Sequence, residues 1–195
     1  HQILEDLGMM KMLPHMTVIN PCDYNQTKAA TIAIAEYEGP VYLRFGRPKW
    51  PIFTPADQKF EIGKAITFVE GSDVSIFATG HMVWQAIEAE AILAEKGINA
   101  EIINIHTIKP LDETAILASV KKTSCAVTAE EHQMNGGLGD SVAQTLARNL
   151  PTPLEMVAVN DSFGESGQPV DLLGKYGLSP QDIVTAAEKA IKRKE

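Results

Sequence analysis

Short apolar runs alternate with amphipathic stretches over most of the chain. The apolar runs predict buried strands at 74–79, 100–105, 124–128 and 154–159. The stretches between and after them predict helices at 83–96, 112–121, 138–150, 169–176 and 180–192. Apolar strands separated by helices are typical of a sheet that is covered on both faces. The pattern therefore predicts an α/β fold of three layers, with a mostly parallel sheet between helices.

The beginning of the chain contains a smaller unit of the same kind. Residues 17–20 and 41–45 predict strands, and Asp23 is placed to cap a helix that runs to Glu38. A strand–helix–strand crossover favours parallel pairing of its two strands. So short a segment buries little apolar surface by itself. We therefore expect this truncated α/β segment to pack against a further part of the protein that this sequence does not contain.

A change in composition and the loss of hydrophobic periodicity mark the predicted domain boundary. Residues 46–58, GRPKWPIFTPADQ, carry three prolines and no periodicity, which is typical of an extended linker. We therefore divide the chain into an incomplete domain at 1–48, a linker at 49–60 and a complete domain at 61–195. A helical pattern begins within a few residues of His1, and an intact domain rarely starts so abruptly. This favours an upstream half that is missing.

Composition and charge exclude several classes of protein. The formal net charge of −8 disfavours nucleic-acid binding, because neutralising phosphates needs a basic surface. No apolar run approaches the length of a membrane span, and no signal-peptide pattern opens the sequence. Cys22 and Cys125 are expected to be buried thiols of a reducing compartment, with a disulfide or a metal site disfavoured. We therefore expect a cytoplasmic globular protein.

The segment AEEHQMNGGLGD at 129–140 contains the densest group of reactive side chains. Glu130, Glu131 and His132 follow a predicted strand at its carboxyl end, where ligands usually bind, and the glycines open a helix whose N–H groups could hold an anion. However, the segment lacks the Walker lysine and the dinucleotide fingerprint. Neighbouring residues of a strand face opposite sides, so the two glutamates make a poor acid/base pair. We favour the alternative, a tight turn with close helix–sheet packing or an interface.

The remaining candidates are weaker. The five histidines are not spaced as metal ligands, so no metal site is predicted. His81 follows a predicted strand and could reach a ligand, although a solvated or capping role is commoner in a turn. The segment DSFGESG at 161–167 offers two serines, but neither a strand-to-helix elbow nor a histidine base is visible. We expect it to be structural or part of a subunit contact.

Several segments resemble transketolases, in the same order. The C-terminal domain of that family is similar to ATGHMVWQAIEAEAIL, INIHTIKPLD, VTAEEHQMNGGLGDSVA and DSFGESGQPVDLLGKYGL. The end of its pyrimidine-binding domain is similar to HQILEDLGMMKMLPHMTVINPCD and GPVYLRFGR. Single motifs are shared with 1-deoxyxylulose-5-phosphate synthases and with the β subunits of 2-oxoacid dehydrogenases, which remain alternatives. The FGESG segment before a Lys-Tyr-Gly helix favours transketolase.

The resemblance implies an activity that this chain contributes to only in part. Transketolases of the pentose phosphate pathway transfer a two-carbon ketol unit between sugar phosphates, with thiamine diphosphate supplying the carbanion chemistry. By the resemblance, the groups that hold the diphosphate and Mg²⁺, and the glutamate that activates the aminopyrimidine, lie upstream of His1. We therefore expect no cofactor or metal on this chain alone, and no activity without an N-terminal transketolase part or subunit in a homodimer-type assembly. A non-catalytic dimerisation or assembly module is the alternative from another class.

Two positions match substrate-binding residues of the family. His1 corresponds to the histidine of a Gly-Pro-Thr-His-Gln segment near the ketol group, where it would hydrogen-bond or handle the proton of a sugar hydroxyl. Arg47, by its spacing after Gly39-Pro40, corresponds to the arginine that holds the substrate phosphate. Arg44 is the rival, with strand-end packing as its ordinary role. In this family AEEHQMNGGLGD belongs to a domain without cofactor, which also favours a scaffold role for it.

Overall fold

A computed structural model describes residues 3–194. In chain order its helices are α1 (Asp6–Met12), α2 (Tyr24–Ala35), α3 (Met82–Glu95), α4 (Glu113–Thr123), α5 (Leu138–Asn149), α6 (Pro169–Lys175) and α7 (Pro180–Lys194). Its strands are β1 (Thr17–Ile19), β2 (Val41–Leu43), β3 (Ile66–Val69), β4 (Val74–Ala78), β5 (Ala100–Asn104), β6 (Thr107–Lys109), β7 (Ala126–Gln133) and β8 (Leu154–Val159). None of the helices between residues 3 and 194 combines the length and apolar character that a membrane span requires.

The larger sheet has the order β3-β5-β4-β7-β8, and all its pairings are parallel except that of β3 with β5. Alternate residues of the central strand face different helices. Ile76 packs in a core with residues of α3 and α7, whereas Phe77 packs in a core with residues of α4 and α5. The predicted three-layer α/β fold is confirmed.

The smaller sheet is completed by a strand from the C-terminal part of the chain. Strands β1 and β2 pair in parallel as predicted, but β6 pairs antiparallel with the other side of β1. Leu7 and Val18 also share a buried core with Phe77 of the larger sheet. The first unit therefore leans on residues 61–195 of its own chain, through hydrogen bonds as well as apolar contacts.

Residues 46–58 have no helix or strand, but they are held against the rest of the protein. The Oδ2 of Asp23 accepts hydrogen bonds from the backbone N–H of Phe53 at 2.9 Å and of Thr54 at 2.7 Å. The Phe53 ring also lies 5.5 Å from Trp84 and 5.7 Å from Phe68, between ring centroids. The predicted linker is thus a docked segment.

Candidate functional site

Glu130 occupies the N-terminus of helix α5 with its own carboxylate. Its oxygens accept hydrogen bonds from the backbone N–H of Leu138 at 2.7 Å and of Gly139 at 2.8 Å. Burial raises the pKa of Glu130, and these two N–H donors oppose that shift. The helix terminus that the sequence offers to an anion is therefore filled from within the chain.

Three glycines of the following turn meet separate steric demands. Gly136 has a φ of +85°, which favours glycine. A Cβ on Gly137 would lie 2.0 Å from Oε2 of Glu130, and a Cβ on Gly139 would lie 2.8 Å from the sulfur of Met156. The turn thus admits the carboxylate and lets α5 lie close to the sheet, which is the structural role that the sequence favoured.

His132 is also fully engaged by the fold. Its Nε2 accepts a hydrogen bond of 3.2 Å from the backbone N–H of Gly8, and its Nδ1 lies 2.7 Å from the backbone oxygen of Gln133. The contacts assign the proton to Nδ1, because a carbonyl only accepts and a backbone N–H only donates. His132 therefore joins α1 to β7.

Glu131 faces the opposite side of β7 from Glu130 and joins a charged cluster. Its Oε2 lies 3.8 Å from Nη2 of Arg44 and 3.4 Å from Nδ1 of His81. Arg44 also places its Nε 3.2 Å from Oδ2 of Asp6, which accepts a hydrogen bond of 2.8 Å from the Tyr42 hydroxyl. We call Asp6, Tyr42, Arg44 and Glu131 the Arg44 cluster. It connects α1 and the end of β2 to the larger sheet.

Burial controls protonation in and beside this cluster. The pKa of Glu131 is raised, mainly by burial and further by the nearby Asp6 carboxylate. The positive charge of Arg44 opposes this shift. The pKa of Tyr42 is raised to about 12 by burial and by its hydrogen bond to Asp6. The pKa of His81 is lowered to about 3 by burial and by Arg44, so this imidazole is neutral at pH 7.

His81 lies at the start of α3 but does not cap it. Its side chain makes no hydrogen bond to the helix, and it is buried. Its ring stacks on the indole of Trp50, with ring centroids 4.4 Å apart and planes 6° from parallel. The expectation of a solvated or capping histidine is therefore wrong, because the 46–58 segment folds back over the turn and covers it.

Arg47 is exposed and lies in the sequence between Arg44, which belongs to the Arg44 cluster, and Trp50, which stacks on His81. Within residues 3–194 its guanidinium has no hydrogen bond and no ion pair. It lines a cavity of about 700 Å³ together with Arg44, Glu131 and the loop at 164–167. A second cavity, of about 620 Å³, shares Arg44 and Glu131 and is also lined by Trp50 and His81.

His1 lies outside the described residues. Its near neighbours Ile3 and Leu4 line the same cavity as Arg47. Of the two arginines that the sequence singled out, Arg44 is engaged by carboxylates and Arg47 is not. Sequence reasoning missed Asp6, Tyr42 and Trp50, although an acidic residue inside an apolar helical pattern and a tryptophan among prolines were visible signals.

The loop at 161–167 forms part of the rim of the first cavity. The Tyr176 hydroxyl donates to the backbone oxygen of Phe163 at 2.8 Å, and Gln133 Nε2 donates to that of Ser162 at 2.7 Å. The side chain of Phe163 is nevertheless 89% exposed. The backbone of the loop is therefore held in place, while a role in subunit contact stays a prediction.

Comparison with known proteins agrees with this architecture of one α/β domain joined to part of another. Residues 63–183 match the family described as transketolase, C-terminal domain, and residues 1–52 match the transketolase pyrimidine-binding domain. The chain belongs to the transketolase family. The resemblance noted in the sequence is thus confirmed.

Relatives and solved structures match the whole chain. It is 44% identical to a 6-deoxy-6-sulfo-D-fructose transketolase subunit of Clostridium sp. (strain MSTE9), covering 100% of this chain and 60% of that protein. It is 42% identical to a putative transketolase C-terminal section of Methanocaldococcus jannaschii, covering 99% and 61%. A structure described as a split gene transketolase, inactive beta4 tetramer, gives a TM-score of 0.95 at 42% identity, covering 100% of this chain and 63% of that chain. The chain thus spans about three fifths of the length of these proteins.

Proposed function

We propose that this chain is the C-terminal part of a transketolase, which transfers a two-carbon ketol unit between sugar phosphates when the enzyme is complete. Arg47 carries the proposal. In a chain of the transketolase family, it presents an exposed guanidinium, without a partner in the described part of the chain, beside a cavity at the junction of the two units.

Arg47 suits a phosphate group better than Arg44 does. A guanidinium binds two phosphate oxygens at once through its planar fork. The guanidinium of Arg44 is already held by Asp6 and Glu131, and freeing it would leave both carboxylates without their cation. We therefore assign Arg47 to the substrate phosphate and Arg44 to packing at the end of β2.

In this proposal the reactive end of the substrate lies in the same cavity. Ile3 and Leu4 line it, and His1 comes just before them in the chain. This supports His1 as the residue that hydrogen-bonds the ketol group or a sugar hydroxyl, with the phosphate held at a distance by Arg47. Remote binding energy of that kind is used to orient the reacting atoms.

Thiamine diphosphate and Mg²⁺ would be held elsewhere in the complete enzyme. Between residues 3 and 194, no group of three or more His, Cys, Asp or Glu side chains could hold a metal ion. Nor is the N-terminus of α5 free for a diphosphate, since Glu130 occupies it. We therefore propose that this chain supplies substrate contacts, and that an N-terminal part or subunit supplies the cofactor site.

An assembly role is the second candidate. Phe45 and Ile52 are exposed apolar side chains that line the cavities, and Phe163 and Val170 are exposed next to residues that line the first one. Ketol transfer that appears only when this chain is mixed with an N-terminal partner supports our proposal. Assembly without any ketol transfer, despite bound thiamine diphosphate, would support the assembly module. Turnover with pyruvate as donor would indicate a deoxyxylulose-phosphate synthase.

The experiment that tests the proposal is Arg47→Ala in the complete enzyme. Losing a charge-assisted contact costs roughly 1.5–3 kcal/mol, or about one to two decades in kcat/KM. We expect that loss for phosphorylated donors, mainly through KM, because a remote contact is equally strong in the ground and transition states. An unphosphorylated donor such as hydroxypyruvate should be affected much less.

Lys49→Ala is the matched control. Lys49 is an exposed cation of the same segment that lines the second cavity instead. The Lys49→Ala variant should show the same preference for phosphorylated over unphosphorylated donors as the unmodified enzyme. Equal losses for both classes of donor in Arg47→Ala would show that Arg47 does not bind the substrate phosphate.

A further inference from the structure

We propose that Glu131 and His81 are positioning residues, which place Arg47 for its phosphate by clamping the two ends of the segment that carries it. The proposal rests on the function proposed above. It assigns a task to two residues of the C-terminal domain that, in the described part of the chain, form no hydrogen bond or ion pair with Arg47. The segment, from Arg44 to Trp50, belongs to the connection between the two units.

The first end of the segment is fixed through Arg44. Its backbone N–H donates to the oxygen of Ile19 at 2.9 Å, which continues the pairing of β2 with β1. Its side chain lies between Asp6 and Glu131, at 3.2 and 3.8 Å, and is only 15% exposed. A largely buried cation between two carboxylates is held more firmly than a surface ion pair. Glu131 is the member that ties this end to the larger sheet.

The second end is fixed through Trp50. Its indole stacks in parallel on His81 at 4.4 Å, and His81 comes three residues after the end of the buried strand β4. The two anchors also lie side by side, since Nδ1 of His81 is 3.4 Å from Oε2 of Glu131. Strands β4 and β7 are neighbours in the larger sheet, so both anchors are held by the same sheet, Glu131 within β7 and His81 in the turn after β4.

Between the anchors the segment has little of its own to fix its shape. It has no helix or strand, and within the described residues 3–194 the Arg47 side chain forms no ion pair or hydrogen bond. The position of its backbone therefore depends on the two ends. If the ends are held, part of the ordering cost of phosphate binding is met before the substrate arrives.

The test is Glu131→Gln in the complete enzyme. Glutamine keeps the shape of the side chain but removes the charge that attracts Arg44. The cost of ordering the Arg47 side chain then falls on substrate binding, so we expect KM for phosphorylated donors to rise roughly 3- to 10-fold. The kcat and the kinetics with hydroxypyruvate should change little. In an Arg47→Ala background, Glu131→Gln should have almost no further effect on KM, because the two residues act through one contact.

Two further variants keep the outcome decisive. Glu188→Gln also removes a carboxylate that pairs with a cation, Lys96, but Glu188 lines neither cavity, so it should not raise KM. Trp50→Leu loosens the other end at a half-buried position and should reproduce the effect of Glu131→Gln if that variant folds poorly.

The possible failures can be told apart. Equal losses with both classes of donor, or full additivity with Arg47→Ala, would overturn the clamp. If Arg47→Ala is selective for phosphorylated donors and neither clamp variant is, the clamp fails while the proposed function stands. If Arg47→Ala itself is not selective, the phosphate assignment fails first.

Discussion

At the scale of single residues, the acidic segment of β7 at 130–132 was compatible with either a catalytic or anion-binding site or a structural role. Glu130, Glu131 and His132 are adjacent in sequence, yet each contacts a different part of the protein. The alternation of side chains along a strand predicted that the glutamates diverge, and they do. It could not predict that Glu130 is itself the anion bound by the glycine turn, because the sequence does not state what fills a helix terminus.

Gly137→Ala should destabilise the protein through Glu130. The new Cβ would meet Oε2 at 2.0 Å and push the carboxylate off its two N–H donors. We expect a loss of roughly 2–4 kcal/mol in the free energy of unfolding, measured in urea. In a Glu130→Ala background the same change should cost far less, since the clash is gone. Gly174→Ala, where a Cβ would meet nothing, is the control. A similar cost in both backgrounds would contradict this explanation.

Among the elements, long apolar strands and amphipathic helices were predictable and the short edge pieces were not. Strands β4, β5 and β8 and the helices after β4 lie within a few residues of their predicted bounds. β3 and β6 are short and gave no clear alternation, so they were missed. β7 runs five residues past Thr128 because partners from α5 and α1 satisfy its polar side chains. Such partners are distant in sequence, and no local pattern reveals them.

The docked 46–58 segment depends on one carboxylate. Asp23 caps α2 through the N–H of Gln26 and also accepts from Phe53 and Thr54. Asp23→Ala should therefore release the segment, and trypsin should cut after Lys49 roughly tenfold faster or more, since about 1.4 kcal/mol of lost local stability gives that factor. Asp112→Ala, which removes the cap of α4, is the control. Unchanged cleavage in Asp23→Ala would mean that other contacts hold the segment.

For the whole molecule, the family and the three-layer fold were accessible from the sequence, whereas the Arg44 cluster was not. The resemblance to transketolases, with the spacing after Gly39-Pro40, was enough to select Arg47 and its rival Arg44. The distinction between them needed Asp6 and Glu131, which are far apart in the sequence and meet Arg44 only after folding. Long-range contacts of this kind are set by the packing of the two units together.

The stability of the molecule should fall as the pH falls below about 6.5. Burial lowers the pKa of His81 to about 3 and that of His106 to about 4. Below about pH 6.5 these two histidines bind protons in the unfolded chain but stay neutral in the folded chain. The free energy of unfolding therefore decreases with decreasing pH down to about 4. Glu130 and Glu131, with raised pKa values, act in the opposite direction, and a matched variant is needed to separate the effects.

His106→Gln isolates one of these histidines. Between pH 7.5 and pH 5 the unmodified protein should lose roughly 1–2 kcal/mol more unfolding free energy than this variant. His15→Asn is the control, because His15 is exposed and asparagine tolerates its φ of 61°. Parallel stability curves for His106→Gln and the unmodified protein would show that His106 is not held neutral by the fold.

The strand β6 has a consequence for anyone who wishes to recombine members of this family. It lies on the C-terminal side of the 46–58 segment, yet it closes the sheet of the N-terminal unit. A chimaera joined within that segment would exchange a strand of the smaller sheet together with the larger domain. The boundary in the sequence is therefore not a boundary between interchangeable modules, and a working junction must carry β6 and its partner β1 from the same parent.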